Sequence, residues 1–249
     1  MRLRVTKQTF QIFLMINVIL LLYWYMQYRY MIVPLPLESF TTVFSYFSMF
    51  TNIALLLSVY TLFYLLLLNS TLPRMQVETL TRVPRGSYMR TNLKNIIVWS
   101  FLFSLWLNIL TILLALFQLT DFKTLLMTGC FIGCILNTIH WTLCYAVLGC
   151  IYMISFTITC KHWISMTLTL LFSILVLWML RFYKITFLFS EIDVYEAIYG
   201  LDSVGLNMLL YILTLGKLLL LVFLLYSVTC SLFNKKDILK ESNSGGQLI

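Results

Sequence analysis

An all-α, polytopic membrane fold is predicted for this chain, with six transmembrane helices and both termini in the cytosol. Three observations predict it. Hydrophobic residues make up 61% of the 249 positions and charged residues 10%, with a mean hydropathy of +0.93, whereas soluble domains carry about 25% charged residues. The charges fall into islands separated by uncharged runs, and a helix needs about 20 residues to cross a bilayer. The basic residues are also shared unequally between alternate islands, as the positive-inside rule requires.

Spans are expected at about residues 8–31, 41–68, 95–118, 125–157, 162–180 and 209–233. The first follows the basic residues Arg2, Arg4 and Lys7. Its apolar run exceeds the roughly 7–15 residues of a signal-peptide core and lacks a small-x-small cleavage site, so it reads as an uncleaved span. The fourth uncharged window, residues 124–160, is long enough to hide two spans. A hairpin there would have only Asn137-Thr138-Ile139-His140 as a polar turn. Two spans would also carry Lys235, Lys236 and Lys240 outside, so one long, tilted helix is expected. Residues 241–249, with Ser-Asn-Ser-Gly-Gly, read as a disordered tail.

Six spans put Arg2, Arg4, Lys7, Arg74, Arg82, Arg85, Arg90, Lys94, Lys161, Lys235, Lys236 and Lys240 on the inner side. The outer side receives Arg29, Lys123, Arg181 and Lys184. Acids run the other way, with Glu38, Asp121, Glu191, Asp193, Glu196 and Asp202 outside. That asymmetry sets the orientation. It also accounts for the formal net charge of +8 without nucleic acid, because the bases sit at the ends of apolar runs with no stacking surface among them. The six cysteines lie in or beside apolar helices with no CxxC spacing, so neither a disulfide framework nor a metal site is suggested. Asn69-Ser-Thr71 matches a glycosylation acceptor but falls on the cytosolic side.

The most informative polar stretch is residues 69–94, the loop between the second and third spans. Its bases Arg74, Arg82, Arg85, Arg90 and Lys94 face a single acid, Glu78. Ser70 or Thr71 can cap a helix, Pro73 suits a first turn and Pro84 cannot continue one, which frames a short helix. Met75, Val77 and Val83 equally fit the alternation of a strand, so both readings stay open. A second helix start at Ser87 runs through Arg90 and Lys94 into the third span. A solvated basic loop is the plain alternative to a docking surface.

The order of a basic N-terminus, two spans, Val77-Glu-Thr-Leu-Thr-Arg82, then Arg85-Gly-Ser-Tyr-Met-Arg90 and four further spans resembles the type-2 ABC exporter permeases. The likeness is to small bacterial members, and Phe233-Asn-Lys-Lys-Asp-Ile238 is similar to the way many of them end. It is a likeness of layout over the whole chain, with loose local motifs. It implies that Met75, Val77, Glu78, Thr79, Leu80 and Arg82 form a coupling helix in the cleft of a cytosolic ATPase, with Arg85 and Arg90 at the membrane edge. It implies a plasma-membrane location and a second permease copy, either identical or similar. It also implies short re-entrant helices in the outer region, residues 181–208. The chain has no GxxxxGK[ST], and Gly216-Lys217-Leu218 is not one. ATP and Mg2+ would therefore act through separate ATPase subunits, and this chain would hold no cofactor and be no enzyme. An apolar, aromatic-rich path suits export of an amphipathic peptide or lipid-like compound.

Lys217 interrupts the last uncharged window. If span six began at Val204, Lys217 would lie near mid-bilayer, where a lone ammonium costs about 3 kcal/mol. If residues 204–215 are re-entrant or interfacial, the span starts near Gly216 and Lys217 snorkels outward toward Glu196 or Asp202. A substrate-pathway role is the other reading. In span four, Gly129, Gly133, Asn137, His140 and Cys144 share one helix face. Gly129-x-x-x-Gly133 permits close backbone approach, and Asn137 and His140 can bond across helices.

His140 also admits a rival. Six spans in a chain of this length resemble the androgen-induced-protein type of intramembrane hydrolase, with Thr51 as nucleophile and His140 as base. A non-catalytic membrane immunity or assembly protein is the third reading.

Overall fold

A computed structural model of the chain describes residues 7–28, 53–72, 85–118, 130–183 and 208–235. The described residues are helical, with no strand among them. Helix α1 is Lys7–Tyr28. Helix α2 joins Ile53–Leu55, a π-helical turn Leu56–Tyr60 and Thr61–Thr71. There follow α3 (Arg85–Gln118), α4 (Cys130–Thr159), α5 (His162–Tyr183) and α6 (Met208–Lys235).

Four of these hold segments long and apolar enough to cross a membrane: Gly86–Leu113, Ile132–Thr159, His162–Leu180 and Tyr211–Asn234. The apolar parts of α1 and α2, Thr9–Leu22 and Leu56–Thr71, are shorter. In hydrocarbon every backbone polar group needs an internal partner, and a helix provides it within one segment. The outward faces are as apolar as the core. Leu14 and Leu22 of α1, Leu171 of α5 and Leu219 and Phe223 of α6 are all exposed, a surface suited to lipid rather than water.

Helix α4 is the hub, packed against α2, α3, α5 and α6. Tyr145, Val147, Leu148 and Tyr152 on it are fully buried. Tyr64 of α2 and Phe103 of α3 meet Tyr145 with ring centroids 5.0 and 5.1 Å apart. Helix α1 leans on α2 and is tied to α3 where Trp106 Nε1 donates to Asn17 Oδ1 at 3.1 Å.

Helix boundaries follow the punctuation of the sequence. Leu72, ahead of Pro73, is extended with ψ 137°, because proline excludes the helical region for its predecessor. Ser70 and Thr71 are the last residues of α2, and the short helix expected to follow them lies outside the described residues. Their hydroxyls donate back to the Leu67 carbonyl at 2.8 and 3.0 Å. Helix α3 is described from Arg85 and includes the expected start at Ser87. Helix α4 runs through Asn137–His140 without a turn, as one helix. Only Cys160 and Lys161 separate it from α5, with Cys160 at φ 55°.

Of residues 204–215, read from the sequence as re-entrant or interfacial, 208–215 are described and belong to the helix that carries Lys217. Helix α6 is continuous from Met208 through Gly216, because no proline or polar cluster interrupts the hydrogen-bond ladder there. Lys217 lies within the apolar segment Tyr211–Asn234. It is exposed, and the stretch from Lys217 to Lys235 spans about 27 Å at 1.5 Å per residue, nearly the hydrocarbon thickness.

The π-turn in α2 needs help from other helices. The Leu56 carbonyl accepts from Thr61 Oγ1 at 2.9 Å and from the Tyr145 hydroxyl at 3.3 Å, while Ser173 of α5 donates to the Leu57 carbonyl. Side chains from three helices thus serve carbonyls that a π-turn displaces from the regular ladder. Ser173→Ala should lower stability in detergent by about 1–3 kcal/mol, the range for stranding a buried acceptor. Ser173→Thr should retain most of it. An alanine variant as stable as the parent would remove Ser173 from this role.

Candidate functional site

The polar residues inside the bundle form a seam. On α3, Ser100, Ser104, Asn108 and Thr111 recur on one buried face, at the spacing that aligns side chains along a helix. On α5, Ser165, Thr169 and Ser173 do the same and are fully buried. Thr61 and Tyr64 of α2 and Asn137 and Thr138 of α4 lie between them.

The densest part of the seam is an amide pair. Asn137 Nδ2 donates to Asn108 Oδ1 at 3.0 Å. Asn108 Nδ2 in turn donates to Thr138 Oγ1 at 3.1 Å and to the Ser104 carbonyl at 2.9 Å. Thr138 passes its hydroxyl hydrogen to the Cys134 carbonyl at 2.7 Å. A turn or two away, the Tyr64 hydroxyl and Ser100 Oγ are 2.9 Å apart. Beside the amide pair is a cavity of about 20 Å³, lined by Ser104, Asn108, Thr111 and Asn137 and by Leu56 and Tyr60 of the π-turn, with Leu20 and Trp141.

A second polar cluster lies at the end of the bundle where α2 finishes and α5 begins. The Tyr152 hydroxyl bonds to His162 Nδ1 at 2.8 Å and to Asn69 Oδ1 at 3.3 Å, and His162 stacks on Phe156 with centroids 4.2 Å apart. At the start of α3, Tyr88 stacks on Phe233 at the finish of α6, 5.6 Å between centroids.

The residues expected to couple to a partner are mostly out of view. Met75, Val77, Glu78, Thr79, Leu80 and Arg82 lie outside the described residues, as do Gly129, Thr51, Glu196 and Asp202. Arg85 opens α3, and Arg90 is exposed one turn further on. Gly133, Asn137 and His140 are buried on α4 as their spacing predicted. Asn137 does bond across helices. His140 differs from expectation: its Nε2 is 3.7 Å from Cys144 Sγ on its own helix, and its Nδ1 has no hydrogen-bond partner. Among the described residues no three His, Cys, Asp or Glu side chains cluster as metal ligands.

The seams on α3 and α5 escaped the sequence reading, although serine, threonine and asparagine at helical spacing within apolar runs were their signal. Gly149 also escaped it. A Cβ there would come within 2.5 Å of Ile96 Cγ2 and 2.7 Å of the Tyr64 hydroxyl, so α4 lies close to α2 and α3 here. The seam offers hydroxyls and carboxamides, which bind by hydrogen bonding. Among known proteins, no family model, curated sequence or solved structure matches the chain.

Proposed function

We propose that this chain is the membrane subunit of an exporter driven by separate cytosolic ATPase subunits, moving an amphipathic peptide or lipid-like compound across the plasma membrane. The observation that carries this reading is α3. It runs unbroken for 34 residues from Arg85 to Gln118, about 51 Å, against a hydrocarbon core of about 30 Å. The surplus turns bear Arg90 and Lys94, both exposed, and continue the basic loop 69–94. Further along, the same helix presents Ser100, Ser104 and Asn108 to the bundle interior. A push delivered to Met75–Arg82 by closing ATPases would reach the polar seam through one rigid rod. A second permease copy, this chain or a similar one, would complete the pathway. Both chain ends and the loop 69–94 would lie in the cytosol, on the grounds of charge.

Tagged chain, extracted from its native membrane in mild detergent, should bring down a nucleotide-hydrolysing subunit. Glu78→Ala with Arg82→Ala should reduce that recovery about tenfold, the loss of one to two kcal/mol of polar docking contacts. Recovery of the chain without any ATPase, together with unchanged transport in the double variant, would defeat the proposal.

A further inference from the structure

The cavity beside the amide pair carries an inference independent of the exporter reading. Ser104 is fully buried, and its Oγ, at the cavity wall, has no hydrogen-bond partner in the protein. A buried hydroxyl left unmet costs about 1–3 kcal/mol. Asn137 spends one amide hydrogen on Asn108, and a carboxamide offers further positions beyond that one. The lining combines apolar Leu20, Leu56, Leu107 and Leu110 with polar Ser104, Asn108, Thr111 and Asn137.

We propose that this cavity is a binding site for one water molecule, which bridges Ser104 Oγ to the Asn108–Asn137 pair in the interior of the bundle. The volume of about 20 Å³ suits a single water, which needs about 10–15 Å³ and two to four polar partners. A cation is disfavoured, because no charged side chain among the described residues lines the cavity and an uncompensated charge at this depth is costly. The water touches the wall formed by Leu56 and Tyr60, so it sits against the π-turn. Its polar partners, Ser104, Asn108 and Asn137, belong to α3 and α4, so it ties those two helices together beside the π-turn.

Radiolytic hydroxyl labelling of the detergent-solubilised chain tests this, because bound water generates radicals beside it even where bulk solvent is excluded. Tyr60 lines the cavity and Tyr64, one turn on, does not; both are buried, at 3% and 0% exposure. Tyr60 should label several-fold faster than Tyr64. Ser104→Val, which replaces the hydroxyl with a methyl and fills the space, should bring Tyr60 down to the Tyr64 rate. Should that variant fail to fold, Leu107→Phe fills the cavity and leaves the hydroxyl in place, with the same expected loss. Equal labelling of the two tyrosines would overturn the site. So would fast labelling of Tyr60 that survives both fillings, since the radicals would then come from bulk solvent.

Discussion

Replacing Gly149 with alanine is expected to destabilise the bundle by about 1–3 kcal/mol, the cost of forcing extra volume into a close-packed interior. Alanine is the better helix former by about 1 kcal/mol, so on an open helix face the same change would stabilise. The neighbours decide the sign. The new Cβ would lie 2.5 Å from Ile96 Cγ2 and 2.7 Å from the Tyr64 hydroxyl. Ile96 cannot swing its Cγ2 away easily, because a β-branched side chain in a helix has one strongly preferred χ1. Tyr64 is held by Ser100 at 2.9 Å and by the rings of Phe103 and Tyr145. Gly149→Val should therefore leave little monodisperse protein. Pairing Gly149→Ala with Ile96→Ala should cost less than the two changes summed, because removal of Cγ2 opens the space. Thermal inactivation of each variant in detergent measures this. An alanine variant at least as stable as the parent would show that α4 does not lie close to α2 and α3 at this position.

What the sequence revealed and concealed divides along one physical line. The membrane class was legible because it depends on counts along the chain, such as the uncharged run before Lys161. The end of α2 just before Pro73 was legible because proline acts on its immediate neighbours. The single helix through Asn137–His140 followed from charge balance. Contacts between distant segments were not legible. The π-turn in α2 depends on Tyr145 and Ser173, separated from the carbonyls they serve by 89 and 116 positions. The Gly-x-x-x-Gly pattern drew attention to Gly129 and Gly133 and passed over Gly149, which matters by what faces it, Ile96 and Tyr64. A charge within an apolar run suggested a break near Lys217, whereas α6 is continuous through it.

Asn108→Leu is expected to be the most damaging single change on the polar seam. Asn108 uses both amide hydrogens, on Thr138 Oγ1 and the Ser104 carbonyl, and accepts from Asn137 with its oxygen. Leucine matches its size closely, so the change tests the hydrogen bonds more than the packing. It strands the Asn137 amide in a site that is 3% exposed, at a cost of about 1–3 kcal/mol for a buried donor without a partner. Interhelical hydrogen bonds in membranes are themselves worth only about 0.6–2 kcal/mol, so stranding, rather than the lost bond, should dominate. The sign of the coupling separates the two. If stranding dominates, Asn108→Leu with Asn137→Leu should be no less stable than Asn108→Leu alone, because the second change removes the orphaned amide. If the costs instead add, the amides act independently and the pair does not hold α3 to α4. Stability of the four proteins in one detergent, read by loss of the monodisperse peak on heating, completes the cycle.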